Sequence, residues 1–268
     1  MPLFTILTLF PDAVEPYLDC GILGNAREKG LFDATLVDFR DWSRDRHRTV
    51  DDRPFGGGPG MVLKPEPILD CIEWIEERSG PHAKFALCPT GRPLSQPLAG
   101  EIGALERVML ICGRYEGFDQ RIFELADIAS ISVGDFVLAG GELAALCVVE
   151  AAVRLLPGAL GNERSAIEDS FSRSLDPQAG PEEEARRGGA EELDHPHYTR
   201  PRTFRGREVP SVLLGGDHGA IEEWRAGEAK KRTLERQTDR GGPSPTPPSG
   251  DSSGGMSAAG TGQYDAKP

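Results

Sequence analysis

The sequence predicts an α/β fold built on a mainly parallel sheet, and two observations carry that prediction. Short apolar runs at 85–88, 108–112 and 128–133 each stop at a glycine-bearing turn: Pro89-Thr90-Gly91, then Gly113 to Gly117, then Gly134. Runs of this length, bounded by turn residues, read as buried strands. Around them lie stretches with the 3.6-residue apolar period of helices, and strands that alternate with helices pair in parallel. No internal repeat interrupts that order.

The elements follow in chain order. Residues 3–9 read as a first strand, because the apolar stretch is cut at Pro11-Asp12 and no basic residue precedes it as one would in a signal peptide. A second strand is predicted over 35–39. The spacing of Ile68, Ile72 and Ile75 predicts a helix over 65–78, stopped by Gly80-Pro81. Strands over 84–88, 107–112 and 128–132 then place three glycine turns along one sheet edge, where permissive backbone lets a ligand approach. One site built from all three loops is the economical reading. A helix over 142–156 sets Leu143, Leu146, Val149 and Val153 together and ends at Pro157-Gly158.

These elements place one domain over 1–172. Residues 173–194 form a linker whose run from Asp176 to Asp194 is acidic and poor in large apolar residues, a composition that cannot build a core. A small helical unit follows over 195–240, with a helix at 220–237. The Pro/Gly/Ser-rich tail over 241–268 reads as disordered.

Composition narrows the class. The five cysteines (Cys20, Cys71, Cys88, Cys112, Cys147) form no CxxC pair, which suits a reducing cytoplasm and argues against structural zinc. No run approaches the roughly 20 apolar residues of a membrane span. The net charge of −13 argues against DNA and against indiscriminate RNA binding. Positive charge is in excess only over 195–240, where ten basic groups face seven acidic ones. None of the three loops carries the Gly-Lys-Ser/Thr of a P-loop or the GxGxxG of a dinucleotide fold, so the ligand is not held by its phosphates.

Five strings go further: CGRYEG at 112–117, SVGDFVLAGGE at 132–142, DRHRTVDDRPFGGGPGM at 45–61, EDSF at 168–171 and HYTRP at 197–201. Together they closely resemble the bacterial tRNA (guanine-N1)-methyltransferases of the SPOUT superfamily, in that family's order from Met1 to about Arg240. The resemblance implies a sheet with a deep trefoil knot near its C-terminal end, and a homodimer whose active site is shared across the interface. It also implies methyl transfer from S-adenosylmethionine to N1 of guanosine at tRNA position 37, and a magnesium ion without a named ligand set. Cofactor contacts are implied at Leu87, Gly91, Gly113, Tyr115 and Glu116, and at Val133, Gly134, Asp135, Phe136, Val137, Leu138, Gly140 and Gly141. A sulfonium is cationic, so carbonyl-rich loops with a carboxylate suit it better than the N–H-lined cradle that anions prefer.

N1 methylation also requires removal of a proton and stabilisation of the charge that builds on the purine oxygen. The resemblance implies Asp169 as the general base and Arg154 as the oxyanion partner, its planar fork being suited to that task. By themselves, Asp169 is equally a helix cap or a solvated loop acid, and Arg154 a surface residue ending a helix. Arg46 and Arg48 lie in a mixed charge cluster whose plain explanation is a solvated loop with weak ion pairs. The resemblance implies instead that they meet the tRNA stem. It implies further that Pro59 walls the everted guanine and that Ser170 contacts tRNA, while His197, Tyr198 and Arg202, which open the second unit, either bind RNA phosphates or merely solvate its surface. In the family EDSF is followed after only a few residues by HYTRP, so the acidic stretch looks like an insertion. Two other readings stay open: a SPOUT methyltransferase acting on another nucleotide, and a non-catalytic RNA-binding protein.

Overall fold

The structure is a computed structural model that describes residues 1–161, 169–172 and 193–241. Its first half runs β1 (Leu3–Leu7), α1 (Pro11–Leu18), α2 (Gly21–Glu28), β2 (Asp33–Val37), β3 (Asp51–Asp52), β4 (Val62–Leu63) and α3 (Pro65–Ser79). There follow β5 (Ala83–Pro93), α4 (Gln96–Gly103), β6 (Arg107–Cys112), α5 (Arg121–Ala126), β7 (Ala129–Ser132) and α6 (Glu142–Val153). Beyond the acidic stretch come the hairpin β8 (Thr203–Phe204) and β9 (Arg207–Glu208), then α7 (His218–Gly241).

Five strands form one sheet in the order β2-β1-β6-β5-β7, every pair parallel. Side chains alternate across a strand, so the middle strand β6 feeds two cores at once. Val108, Leu110 and Cys112 enter a cluster with residues of α1, α2, α4 and α6, while Met109 and Ile111 enter a second one beneath α3. A strand buried on both faces has no polar side to show, which is why 108–112 reads as an unbroken apolar run.

The expected parallel sheet is present, with displaced edges. β1 stops at Leu7, and β2 ends at Val37 rather than Phe39. Phe39 instead opens a single 3-10 turn, Phe39–Trp42, which Asp38 caps by accepting the Arg40 backbone N–H. β5 does not end at its glycine turn. It pairs Leu87 with Ile131 of β7, bulges through Pro89 to Gly91, and returns to pair Arg92 with the same Ile131. The helix predicted over 142–156 ends at Val153, and Leu143 points outward, 63% exposed, while Leu146, Val149 and Val153 are buried. α6 is apolar nearly all round, so its period does not define a single buried face. α7 is longer at both ends than the predicted 220–237. Residues 173–192 of the expected linker and 242–268 of the expected tail lie outside the described residues.

One core group makes stability pH-dependent. His82 is 6% exposed, with Nδ1 2.9 Å from the Gly80 carbonyl oxygen and Nε2 3.4 Å from Thr5 Oγ1. Burial holds its pKa below the ordinary 6.5. The folded chain therefore keeps this imidazole neutral where the unfolded chain protonates it. The contribution is complete above the unfolded pKa and is lost as pH falls below about 6.5. Urea midpoints should decline from pH 7 to pH 5.5, and the decline should be shallower in His82→Gln.

Candidate active site

The three loops that follow β5, β6 and β7 converge on one cleft of about 620 Å³. That volume is within the range of small-molecule and cofactor pockets. Leu87, Gly113, Tyr115, Glu116, Val133, Gly134, Phe136, Val137, Leu138, Gly140 and Gly141 all line it. Two expected cofactor residues do not. Gly91 packs against the backbone of Ser130 and Ile131 in the seam between β5 and β7, and Asp135 is exposed to solvent. The residue pattern missed Phe118 and Phe123, which form an edge-to-face pair at 5.7 Å on the cleft wall. Phe118 stands one residue beyond the CGRYEG string, and that adjacency was the available signal.

Close backbone contact makes this convergence possible. A Cβ built on Gly141 would lie 2.8 Å from Cys112 Cα and 2.9 Å from the Gly113 nitrogen. With only hydrogen there, the Gly141 N–H reaches the Gly113 carbonyl at 2.9 Å and joins the second loop to the third. The loop carrying Pro59 is drawn in similarly: the Glu116 N–H donates to Met61 O at 3.0 Å, and Leu63 N–H donates to Gly117 O at 2.9 Å. Gly60 sits directly against the Glu116 carboxyl group, in space any side chain would claim.

A buried ion pair fastens the two loops from beneath. Glu142, 8% exposed in its side chain, lies 2.9 Å from Arg114 Nη2 and accepts the Thr8 hydroxyl at 2.8 Å. Arg114 also donates to the Ala139 carbonyl at 3.3 Å and stacks on Phe10, 4.4 Å from the ring centroid. Removing one partner of a buried pair strands the other charge, so Arg114→Ala should lower folding stability by about 3–5 kcal/mol in urea denaturation. Glu142→Gln, which keeps the shape and removes the buried charge, should cost less.

The remaining expected residues lie elsewhere. Arg154, at the end of α6, forms an ion pair with Asp169 through Nη2 and Oδ2. The structure thus joins these two residues, and neither borders the cleft of its own chain. The Ser170 hydroxyl accepts the Asp194 backbone N–H at 2.9 Å. Pro59 and Arg46 are exposed, and Arg48 is held by Asp41 and, at 3.5 Å, by Asp38. His197, Tyr198 and Arg202 are exposed near the start of the C-terminal hairpin.

Three glycine-rich loops gathered at the strand ends of a parallel sheet around one cleft, with the Glu116 carboxylate on its wall, make a ligand site of the α/β class. The profile of the family described as tRNA (Guanine-1)-methyltransferase TrmD matches residues 3–240, and the chain belongs to that family. A tRNA (guanine-N(1)-)-methyltransferase of Rhodopirellula baltica is 47% identical over 238 residues, covering 88% of this chain and 92% of the relative. Its counterpart in Brevibacillus brevis is 48% identical over 234 residues, covering 87% and 89%. The crystal structure of the tRNA (m1G37) methyltransferase from Aquifex aeolicus superposes with a TM-score of 0.69 at 36% identity, over 89% of this chain and 94% of that one. Among the described residues, no helix is long and apolar enough to cross a membrane.

Proposed function

We propose that the protein methylates N1 of guanosine 37 in tRNA, the reaction for which the Aquifex aeolicus relative is named. One observation carries the reading: the loops that the family match spans converge on a single cleft, with Glu116 on its wall. When bound, S-adenosylmethionine supplies a methyl group made electrophilic by its sulfonium. The chain's own residues do the rest. The loop carbonyls and Glu116 favour a cationic ligand, and the apolar wall of Leu87, Ile131 and Phe118 excludes water. Asp169 takes the N1 proton, and Arg154 turns its guanidinium to the purine oxygen. Their pairing in the free chain keeps both charges compensated until the base arrives. Everting the base costs a few kcal/mol, least in a single-stranded loop.

Because Asp169 and Arg154 stand away from the cleft of their own chain, the reading includes a homodimer in which Asp169 serves the partner's cofactor. Mixing Asp169→Ala with a variant defective in the cofactor cleft should then restore activity that neither variant has alone. Residues 195–240, with their excess of basic groups, hold the tRNA through His197, Tyr198 and Arg202. The setting is cytoplasmic, and neither DNA nor a membrane takes part. The resemblance also implies magnesium; the one group of three potential ligands among the described residues offers two imidazoles, whereas magnesium takes oxygen, so that group does not suit it.

The test is direct. Purified protein is incubated with labelled methyl donor and tRNA carrying guanosine or adenosine at position 37, and the product is mapped. Label on N1 of guanosine alone is the expected result; label elsewhere, or none, overturns the reading.

A further inference from the structure

A cluster outside the cleft has the chemistry of a different ligand. Asp194, His195 and His197 each present one ligand atom, and the three atoms lie within 4.8 Å of one another. His195 Nδ1 is 2.7 Å from Asp194 Oδ1, and His197 Nε2 is 2.8 Å from Asp194 Oδ2. We propose that these three side chains form a binding site for a borderline divalent cation, zinc, cobalt or nickel.

The geometry is close to what such an ion needs. Ligand bonds of about 2.0–2.2 Å in tetrahedral array put ligand atoms about 3.3 Å apart; here the imidazoles stand 2.7 and 2.8 Å from the carboxylate, and no two ligand atoms are more than 4.8 Å apart. Two imidazole nitrogens and one carboxylate are the donor set of borderline transition metals, and the wrong set for magnesium or calcium. His197 is 72% exposed in its side chain, which leaves a coordination position open to water.

The cluster is also held in place before any ion arrives. The Leu193 N–H donates to Thr233 Oγ1 at 2.9 Å, Arg232 Nη1 donates to the Asp194 carbonyl at 3.0 Å, and the Asp194 N–H donates to Ser170 Oγ at 2.9 Å. The His195 ring stands edge-on to Trp224, 6.5 Å between centroids. Pro196 between the two histidines fixes its own φ, so less freedom is lost when both rings are brought to one point. Against this, Arg232 and the neighbouring Arg225 place positive charge close by. The affinity should therefore fall well short of that of structural zinc sites. Since Asp194 also holds Ser170, the residue after Asp169, an occupied site would tie metal content to the placement of that segment.

The experiment needs no methyl transfer, so its failure and that of the proposed reaction are separable. The full-length chain, stripped with chelator, is titrated with cobalt(II) and followed by visible absorption. Expected is one saturable equivalent per chain, without the sulfur-to-metal band that cysteine ligation would give. Zinc should displace it and millimolar magnesium should not. Asp194→Asn and His195→Ala should each weaken binding at least about tenfold, since even loss of a residue behind a ligand does that much. Unchanged S-adenosylmethionine affinity in both variants shows that they are folded. Absence of a saturable band, displacement by magnesium, or affinity unchanged in both variants overturns the proposal.

Discussion

Asp169→Ala should lose methyl transfer by about 10²–10⁴-fold, the span attributed to a well-placed general base, while S-adenosylmethionine affinity stays near the native value. Asp169 borders no part of the cleft in its own chain, and its described partner is Arg154. Removing the carboxylate therefore leaves the cleft of its own chain intact. It also leaves Arg154 without its counter-ion, and at 28% side-chain exposure that guanidinium is still reached by solvent. Single-turnover kinetics separate chemistry from binding, and calorimetric titration reports the cofactor. Loss of turnover and affinity together would show that Asp169 shapes the donor site rather than accepting a proton. A variant with native turnover would remove it from the reaction.

Gly141→Ala should have an equally large effect by another route. The new methyl group would sit 2.8 Å from Cys112 Cα and 2.9 Å from the Gly113 nitrogen, well inside ordinary contact distance. Both obstacles are backbone atoms, so no side chain can rotate away. The second and third loops must part, and the 2.9 Å bond from Gly141 N–H to Gly113 O must stretch. Overpacking of this kind costs about 1–3 kcal/mol. Because it falls between two walls of the cleft, S-adenosylmethionine affinity should drop by about 5- to 150-fold, with a lower melting temperature. Gly161→Ala, a position with no neighbour within 4 Å among the described residues and no left-handed φ, is the matched control and should alter neither quantity. Native affinity in Gly141→Ala would mean the two loops do not close on the cofactor together.

Much of this arrangement was legible in the residues, for identifiable reasons. β6 could be read because burial on both faces leaves it without polar interruption, and the three loops because glycine clusters after apolar runs mark close backbone approach. Other elements were hidden by proline. Pro11 reads as a break, yet it opens α1, where a missing N–H goes unmissed and a fixed φ suits the first turn, as Pro97 does in the first turn of α4. Ser95, which accepts the Leu98 N–H, was the overlooked start signal for α4. The position of Leu143 could not be read because a helix apolar nearly all round has no unique inward face. The pairing of Arg114 with Glu142, and of Thr8 with Glu142, spans 28 and 134 residues, a distance over which local pattern is silent. Gly91, which the resemblance implies as a cofactor contact, lies outside the cleft lining, and its lack of a side chain also serves the seam between two strands.

That seam bears on how quickly the chain can become native. Ile131 meets Leu87 on one side of the bulge and Arg92 on the other, so the last strand of the sheet cannot settle until both flanks of an earlier segment are already in position. Contacts so distant along the chain delay the reward for closing them, and proteins dominated by such contacts fold slowly. Refolding from denaturant should lag behind helical proteins of equal length, and an insertion between Pro89 and Gly91 should slow it further.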